Sequence, residues 1–407
     1  MSVAKGDREG GSLAPVQIEP PGASNIRGEY EPASTCRPDM SANPAVSSPV
    51  IALLGKKDVP TDAVEDYCRF LSPAMEDRGY RVEIVRVPWE DLGWIKACVR
   101  LWQASRNWKG KSVLVQYTAL MWSRHGLPLA FLGVLLILKV HGVRLITVFH
   151  DVAPYPGKRV IDRIRRACQR WVLRRAYGLT RACVLPVPKE QISWFPRLAT
   201  KASFIPIGAN IPAVVAAGRS VRNGNEPKTI GVFTVTDGGD ISQEVLAITQ
   251  AAKVAAQHVR PVRLVTLGRG SCVSEPEFRK ALAGSSVEYQ ALGVLIAEEV
   301  ANILASCDVS LFVRGRITTQ RGSAIASIAC SLPLVAYADG CLPPPLAEAG
   351  VVGVPCGDRE ALATAVVDVL TNDHLWLDLH QRSRRAYERY FSWEAVAARF
   401  VELLERA

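Results

Sequence analysis

Arg316, Arg321, Gly322 and Ser323 are the chain's clearest set of groups for handling an anion. A glycine at a helix start lets a ligand approach backbone N–H groups that carry partial positive charge. A serine there can cap the first turn, and an arginine offers a bidentate phosphate contact. A phosphate or diphosphate is the guest this combination suits. A second set, His150 and Asp151, closes the run ITVFHD. An imidazole there can hydrogen-bond a hydroxyl, and the neighbouring carboxylate can fix its tautomer or take a proton.

The elements that must position these groups follow from hydrophobic patterning. Around the first set, DVSLFVRGRITTQRGSAIASIACSLPLVAY (Asp308 to Tyr337) opens with a β-rich apolar run, Val309 to Val313, and passes through a basic loop. It turns at Gly322-Ser323, continues as a small-residue helix and ends in a buried strand, Pro333 to Tyr337. This is one unit of a parallel sheet, and open α/β sheets bind ligands at the carboxyl edge of their strands. VRLITVF delivers His150 to such an edge, TIGVFTV does the same for Thr236 and Asp237, and RLVTL for Gly268 and Arg269. Earlier, PVIALLG leads into a loop with Lys56 and Lys57, then a helix from Ala63 to Arg78 closed by Gly79, then the alternating strand YRVEIVRV.

Length and composition bound the rest. The 407 residues allow two or three domains, and 48% hydrophobic with 22% charged describes a globular protein. The formal charge of +10 calls for an acidic partner, either phosphate groups or an anionic membrane surface. No nucleic-acid module is recognisable, so nucleic acid is not expected. The ten cysteines lack CxxC or CxxH spacing, which argues against a zinc site or a disulfide framework and for a reducing cytoplasm. Residues 1–48, rich in Pro, Gly, Ser and Ala, are expected to be a disordered tail without a signal peptide. The apolar run Leu127 to Leu138 has 12 residues, too few to cross a bilayer, and predicts a buried helix. Lys158 to Arg181 carries nine Lys or Arg against one acid on an amphipathic pattern. It predicts a basic helix facing solvent, a polyanionic acceptor or anionic lipid, with Arg165 and Arg166 on that side.

From AIASIACSLPLVAY onward the chain resembles the nucleotide-sugar site of family 4 type glycosyltransferases, where a helix ending in an EAMACGxPVV-like pattern precedes a strand. The likeness continues through AEAGV (Ala347 to Val351), GDREALATAVVDVL and the terminal YFSWEAVAARFVELL. The family's usual glutamate pair, eight positions apart, is missing. Thr318 and Ala326 stand in its place, and TQRGS resembles the RRGS-like turn of a subgroup. The resemblance implies two Rossmann-like α/β domains facing across a cleft, the GT-B architecture. Residues 49–212 would take the acceptor, 213–228 would link, 229–391 would bind the nucleotide sugar, and 392–407 would return to the first domain. It places Gly322, Ser323 and Leu292 around the donor, with Thr236 and Asp237 where relatives carry an Arg and a Lys for the diphosphate; Arg316, Arg321 or Arg269 is expected to take over that duty, and Gly268 to let the base or ribose approach. His150 and Asp151 would be catalytic, and Lys56 and Lys57, where the family often has a Gly-Gly, are expected on the acceptor side, where they could attract a phosphorylated acceptor.

The implied reaction transfers a sugar from a nucleoside diphosphate sugar to a glycan or lipid-linked acceptor with retention, without metal or further cofactor. Its expected place is the cytoplasm, with a peripheral seat on the inner face of the membrane as a further expectation. Two alternatives keep the fold: a non-catalytic relative that binds nucleotide or glycan, and a sugar-nucleotide epimerase. A dehydrogenase is disfavoured because no strand is followed by a clear GxGxxG.

Overall fold

The apolar runs become strands flanked by helices on both faces, and β3, β5, β10 and β11 as defined below are buried along their whole length. The structure, a computed structural model, describes residues 48–58, 62–155, 157, 159–196, 200–214, 226–235 and 241–407. The expected tail, apart from Ser48, and most of the expected linker lie outside the described residues.

The first half runs β1 (Ser48–Leu54), α1 (Ala63–Glu76), β2 (Tyr80–Arg86), α2 (Trp89–Leu92), α3 (Trp94–Ser105), β3 (Ser112–Tyr117), α4 (Ala130–Val140), β4 (Arg144–Phe149), α5 (Val160–Leu179), β5 (Ala182–Leu185) and β6 (Ala202–Phe204). All pairings are parallel, in the order β2-β1-β3-β4-β5-β6. The steps β2 to β3, β3 to β4 and β4 to β5 all advance in one direction. Right-handed crossovers therefore stack α3, α4 and α5 on one face of the sheet, and α1 falls on the other.

The second half runs β7 (Lys228–Phe233), α6 (Ile241–His258), β8 (Val262–Leu267), α7 (Glu275–Leu282), β9 (Val287–Ala291), α8 (Ala297–Ser306), β10 (Val309–Phe312), α9 (Gly322–Ala329), β11 (Leu334–Tyr337), α10 (Pro344–Glu348), β12 (Val351–Val354), α11 (Arg359–Thr371), α12 (Asp373–Ala386) and α13 (Trp393–Arg406). Its sheet is also parallel, in the order β12-β11-β10-β7-β8-β9. The chain reverses direction across the sheet between β7 and β10, the position at which open α/β sheets leave a crevice.

Helix α13 belongs to the core of the first sheet, where Val396, Phe400 and Leu404 are buried with the residues of β1 and β3. The joint between the halves is hydrogen-bonded from both sides. Ile207 N–H donates to Thr319 O (3.4 Å), Ala209 N–H donates to Phe391 O (3.1 Å), and Trp393 Nε1 donates to Ala209 O (2.7 Å). Thr319 Oγ1 in turn donates to Pro186 O.

Candidate functional site

At the second sheet, Asp308 anchors the stretch that leads to the anion turn. Its Oδ2 accepts from Thr229 N–H (2.8 Å), and its carbonyl accepts from Trp376 Nε1 (2.7 Å). Strand β10 then hands over to the loop 313–321 and to α9, whose residues from Ala324 onward are buried on every side. Ser327 Oγ donates to Ser310 Oγ (2.8 Å), so the buried helix is pinned to the strand beneath it. Such a bond stabilises by about 1 kcal/mol.

Polar groups at the start of α9 are left without partners. Ala324 and Ile325 donate to Arg321 O (both 3.0 Å), while among the described residues nothing accepts from Gly322 or Ser323 N–H. Among side-chain atoms, Arg321 Nε, Gln320 Oε1 and Thr318 Oγ1 are buried without a hydrogen-bond partner, as is Asn210 Oδ1 on the joint. Burial and the neighbouring Arg314 guanidinium push the Arg321 pKa down. A Cβ built on Gly322 would meet nothing nearer than Ile207 Cδ1 at 4.0 Å, so no protein contact demands a glycine there.

Across the switch point, Thr234 holds φ at +70°, a conformation that is an outlier for a β-branched residue. Its N–H donates to Leu267 O (2.7 Å), and Val235 N–H donates to Arg269 O (3.1 Å). Gly268, at φ +83°, has no room for a side chain, because a Cβ would lie 2.9 Å from the Phe233 ring. Ser271 Oγ accepts from Gly293 N–H (3.0 Å) and donates to Gly268 O (2.9 Å), which ties the turn after Leu292 to the Gly268 loop. The loops after β7, β8 and β9 thus form one connected rim.

At the first sheet, His150 follows β4 and is half-buried. Gln116 Nε2 donates to Leu114 O (3.2 Å), which turns Gln116 Oε1 toward the ring at 2.8 Å from His150 Nε2. Nε2 therefore carries the proton and Nδ1 is left as an acceptor. Burial lowers the His150 pKa from 6.5 to about 4, so the ring is neutral at pH 7. Tyr67 of α1 meets it edge-on at 5.0 Å, and Tyr67 in turn meets Trp393 at 5.1 Å. Asp62 caps α1 by accepting from Val64 and Glu65 N–H (3.1 and 3.0 Å), and its other oxygen pairs with Arg86 at 2.7 Å. That cap and ion pair hold the helix that presents Tyr67.

Several sequence expectations are corrected here. Asp151 does not set the His150 tautomer, because Gln116 does; Asp151 Oδ2 accepts from Ala119 N–H (3.0 Å), and burial raises its pKa. Ser323 is not the cap of α9. The helix starts two residues earlier than that role requires, with Arg321 at the N-cap and no side-chain cap bond. Arg165 and Arg166 are half-buried on the basic helix: Arg165 pairs with Asp162 (3.1 Å) and Arg166 donates to Gly157 O (2.9 Å). Lys56 is half-buried and its N–H donates to Met121 O (3.0 Å), while Lys57 is exposed. Gly55 beside them is required by close approach, since a Cβ would fall 2.4 Å from Met121 O. Arg316 is exposed, and its charge reaches the Cys356 thiol beyond β12. Thr236 and Asp237 lie outside the described residues. Gln116, Tyr67 and Thr234 were missed by sequence reasoning, and nothing local marks them. Gln320 stood inside the anion stretch, and Thr318 at one of the glutamate positions.

A cavity of about 760 Å³ lies away from this edge, between the C-terminal turn of α8 and the first residues of β7 and β8. Val214 and Glu226 are among its lining residues, and it brings together no titratable cluster among the described residues. Among the described residues there is no group of three or more His, Cys, Asp or Glu that could hold a metal ion. The nine described cysteines are free thiols. No described helix is long and apolar enough to cross a membrane.

Two six-stranded parallel sheets, each sandwiched by helices and meeting at a joint with their carboxyl edges carrying the polar groups, are the GT-B fold of glycosyltransferase structures. Within that class, residues 240–372 match the family model described as glycosyl transferases group 1. Sucrose-phosphate synthase from Thermosynechococcus elongatus superposes with a TM-score of 0.62 at 17% identity, over 88% of this chain and 98% of that one. HepE from Anabaena, solved with UDP and glucose, gives 0.57 at 14% identity over 88% and 99%. A glycosyltransferase from Rickettsia africae gives 0.61 at 12% identity over 89% and 100%. A search of curated proteins found no match.

Proposed function

We propose that the protein transfers a sugar from a nucleoside diphosphate sugar to a glycan or lipid-linked acceptor, with retention of configuration and without an obligatory metal. The observation that carries this reading is the set of unpartnered polar groups at the start of α9: two backbone N–H groups, Arg321 Nε and the Gln320 and Thr318 oxygens. Buried side-chain polar groups are nearly always paired in folded proteins, so Arg321 Nε, Gln320 Oε1 and Thr318 Oγ1, set beside two half-buried helix-start amides on a carboxyl edge, argue for a polar guest. The group 1 match over 240–372 and the UDP and glucose held by HepE support a nucleotide sugar as that guest.

In this mechanism the diphosphate lies against the Gly322 and Ser323 amides, with Arg321 beside it. As the bond from the sugar anomeric carbon to phosphate oxygen breaks, these donors take up the charge that develops on the leaving group. The acceptor hydroxyl oxygen bonds to the same carbon on the same face and gives up its proton to the departing phosphate. His150, neutral and with Nδ1 free to accept, orients a sugar hydroxyl. Asp151 supports the turn at Ala119. The test is nucleotide release from a panel of UDP-, GDP-, ADP- and dTDP-sugars, with and without glycan and lipid-linked acceptors. Acceptor-dependent release is expected. Binding without turnover for every pair would point to a non-catalytic relative, and acceptor-independent release to an epimerase.

A further inference from the structure

The first domain carries apolar side chains on the outside of three neighbouring helices. On α3, Ile95 (84% exposed), Val99 and Trp102 recur at i, i+4 and i+7. From Leu129, just before α4, Leu136 and Val140 follow at i+7 and i+11 in one outward row. On α5, Val160 (73% exposed), Ile164 and Trp171 form a third row at i, i+4 and i+11. In α5 this row lies opposite the face that packs on the sheet through Val172, Leu173 and Ala176, so the helix is apolar on both sides. Helices α3 and α4 touch, as do α4 and α5, and all three cover the same face of the sheet. Trp102 packs edge-on against His141 at the end of α4 (4.5 Å between ring centres), which joins the first two rows.

This surface is not typical of the molecule. In the second domain the exposed large apolar residues are Leu246, Val273, Val294, Ile296 and Leu377, which make no repeated row. Charge is equally uneven. Together α3, α4 and α5 contain nine basic residues and one acid, a net of +8 where the whole chain carries +10. The acid, Asp162, is already paired with Arg165. Arg163, Arg170, Arg174 and Arg175 are exposed and flank the apolar row of α5, and Arg175 lies over the Trp171 ring at 5.6 Å.

We propose that the outer face of α3, α4 and α5 docks on an anionic phospholipid bilayer. Leu, Ile, Val and Trp side chains would enter the boundary between headgroups and acyl chains, and the arginines and lysines beside them would meet lipid phosphates. Charge complementarity selects this occupant. A second copy of the chain in an isologous contact would set the exposed cations Lys96, Arg100, Lys139, Arg163, Arg170, Arg174 and Arg175 against the same set. A nucleic acid would meet the cations but gain nothing from Ile95, Val140 or Val160. The proposal concerns a surface on the flank of the first sheet and holds whichever sugar is transferred.

The test uses the full chain and sedimentation with vesicles of phosphatidylcholine alone or mixed equally with phosphatidylglycerol. Binding is expected to the mixed vesicles, to weaken as salt is raised, and to be at least tenfold lower for phosphatidylcholine alone. The double variant Ile164→Ser, Trp171→Ser should lose binding about tenfold or more, and Arg170→Gln and Arg174→Gln about fivefold each. These side chains are exposed, so melting temperatures should match the parent protein. Absence of binding to the mixed vesicles overturns the proposal. So does binding that the variants leave unchanged, or a loss in the same variants of dimerisation or nucleic-acid binding in place of vesicle binding.

Discussion

The carboxyl edges of the two sheets are built from similar strands and finished in opposite ways. At the first, the polar groups around the site are mostly answered from within the chain: His150 by Gln116, Asp151 by Ala119, and the amides of both by Tyr117 O. The Tyr117 hydroxyl, Thr147 Oγ1 in β4, Arg165 Nε and the free His150 Nδ1 are exceptions. At the second, Arg321, Gln320, Thr318 and two helix amides are unanswered, and Thr234 holds a strained φ. A satisfied edge is rigid and can orient a neutral hydroxyl. An unsatisfied one is preorganised for charge that arrives with a ligand. On the proposed function, this difference gives positioning to the first domain and charge stabilisation to the second.

The strongest way to break that contrast is Gly322→Asp. The site has room for a side chain, and an acid at a helix start is ordinarily stabilising, so the variant should fold with an unchanged melting temperature. It should nevertheless weaken nucleoside diphosphate binding about a hundredfold or more, because a carboxylate would face the phosphates. Arg321→Ala should weaken the same binding by about 1 to 3 kcal/mol while leaving stability equal or slightly higher, since it removes a buried cation without a partner at Nε. Calorimetric titration read beside thermal melts checks both.

At the first edge, His150→Gln should lower turnover about tenfold and leave nucleotide affinity unchanged, the loss of one oriented hydrogen bond. Its stability signature has a definite sign. The folded pKa is depressed to about 4 from 6.5, so the unfolded chain takes up the proton first. The stability due to the neutral ring is full above pH 6.5 and is lost as pH falls toward about 4. Denaturant melts across that window should slope less steeply with pH in His150→Gln. The smallest effect belongs to Thr234→Gly, which should relieve the positive φ and raise stability by up to about 1 kcal/mol.

Much of this was legible before any coordinates. The stretch Asp308 to Tyr337 reads as strand, basic loop, helix and strand because each element announces itself within a few residues. The structure places β10, α9 and β11 there. What was not legible depended on partners far away in the chain. Gln116 is 34 residues from His150, and no local pattern names it in place of the adjacent Asp151. Arg165 and Arg166 looked like part of a solvated basic face, but they are half-buried and tied to Asp162 and Gly157, while Arg163, Arg170, Arg174 and Arg175 are exposed. Ser323 looked like a cap because its residue type favours one; the helix begins at Gly322, which makes Arg321 the boundary.

The most direct measurement is a titration of UDP, GDP, ADP and dTDP into the parent protein and into Gly322→Asp under identical conditions. The account predicts saturable binding of at least one nucleotide by the parent and its loss in the variant, with both proteins melting at the same temperature. Equal affinity in the two, or no nucleotide bound by the parent, would contradict it.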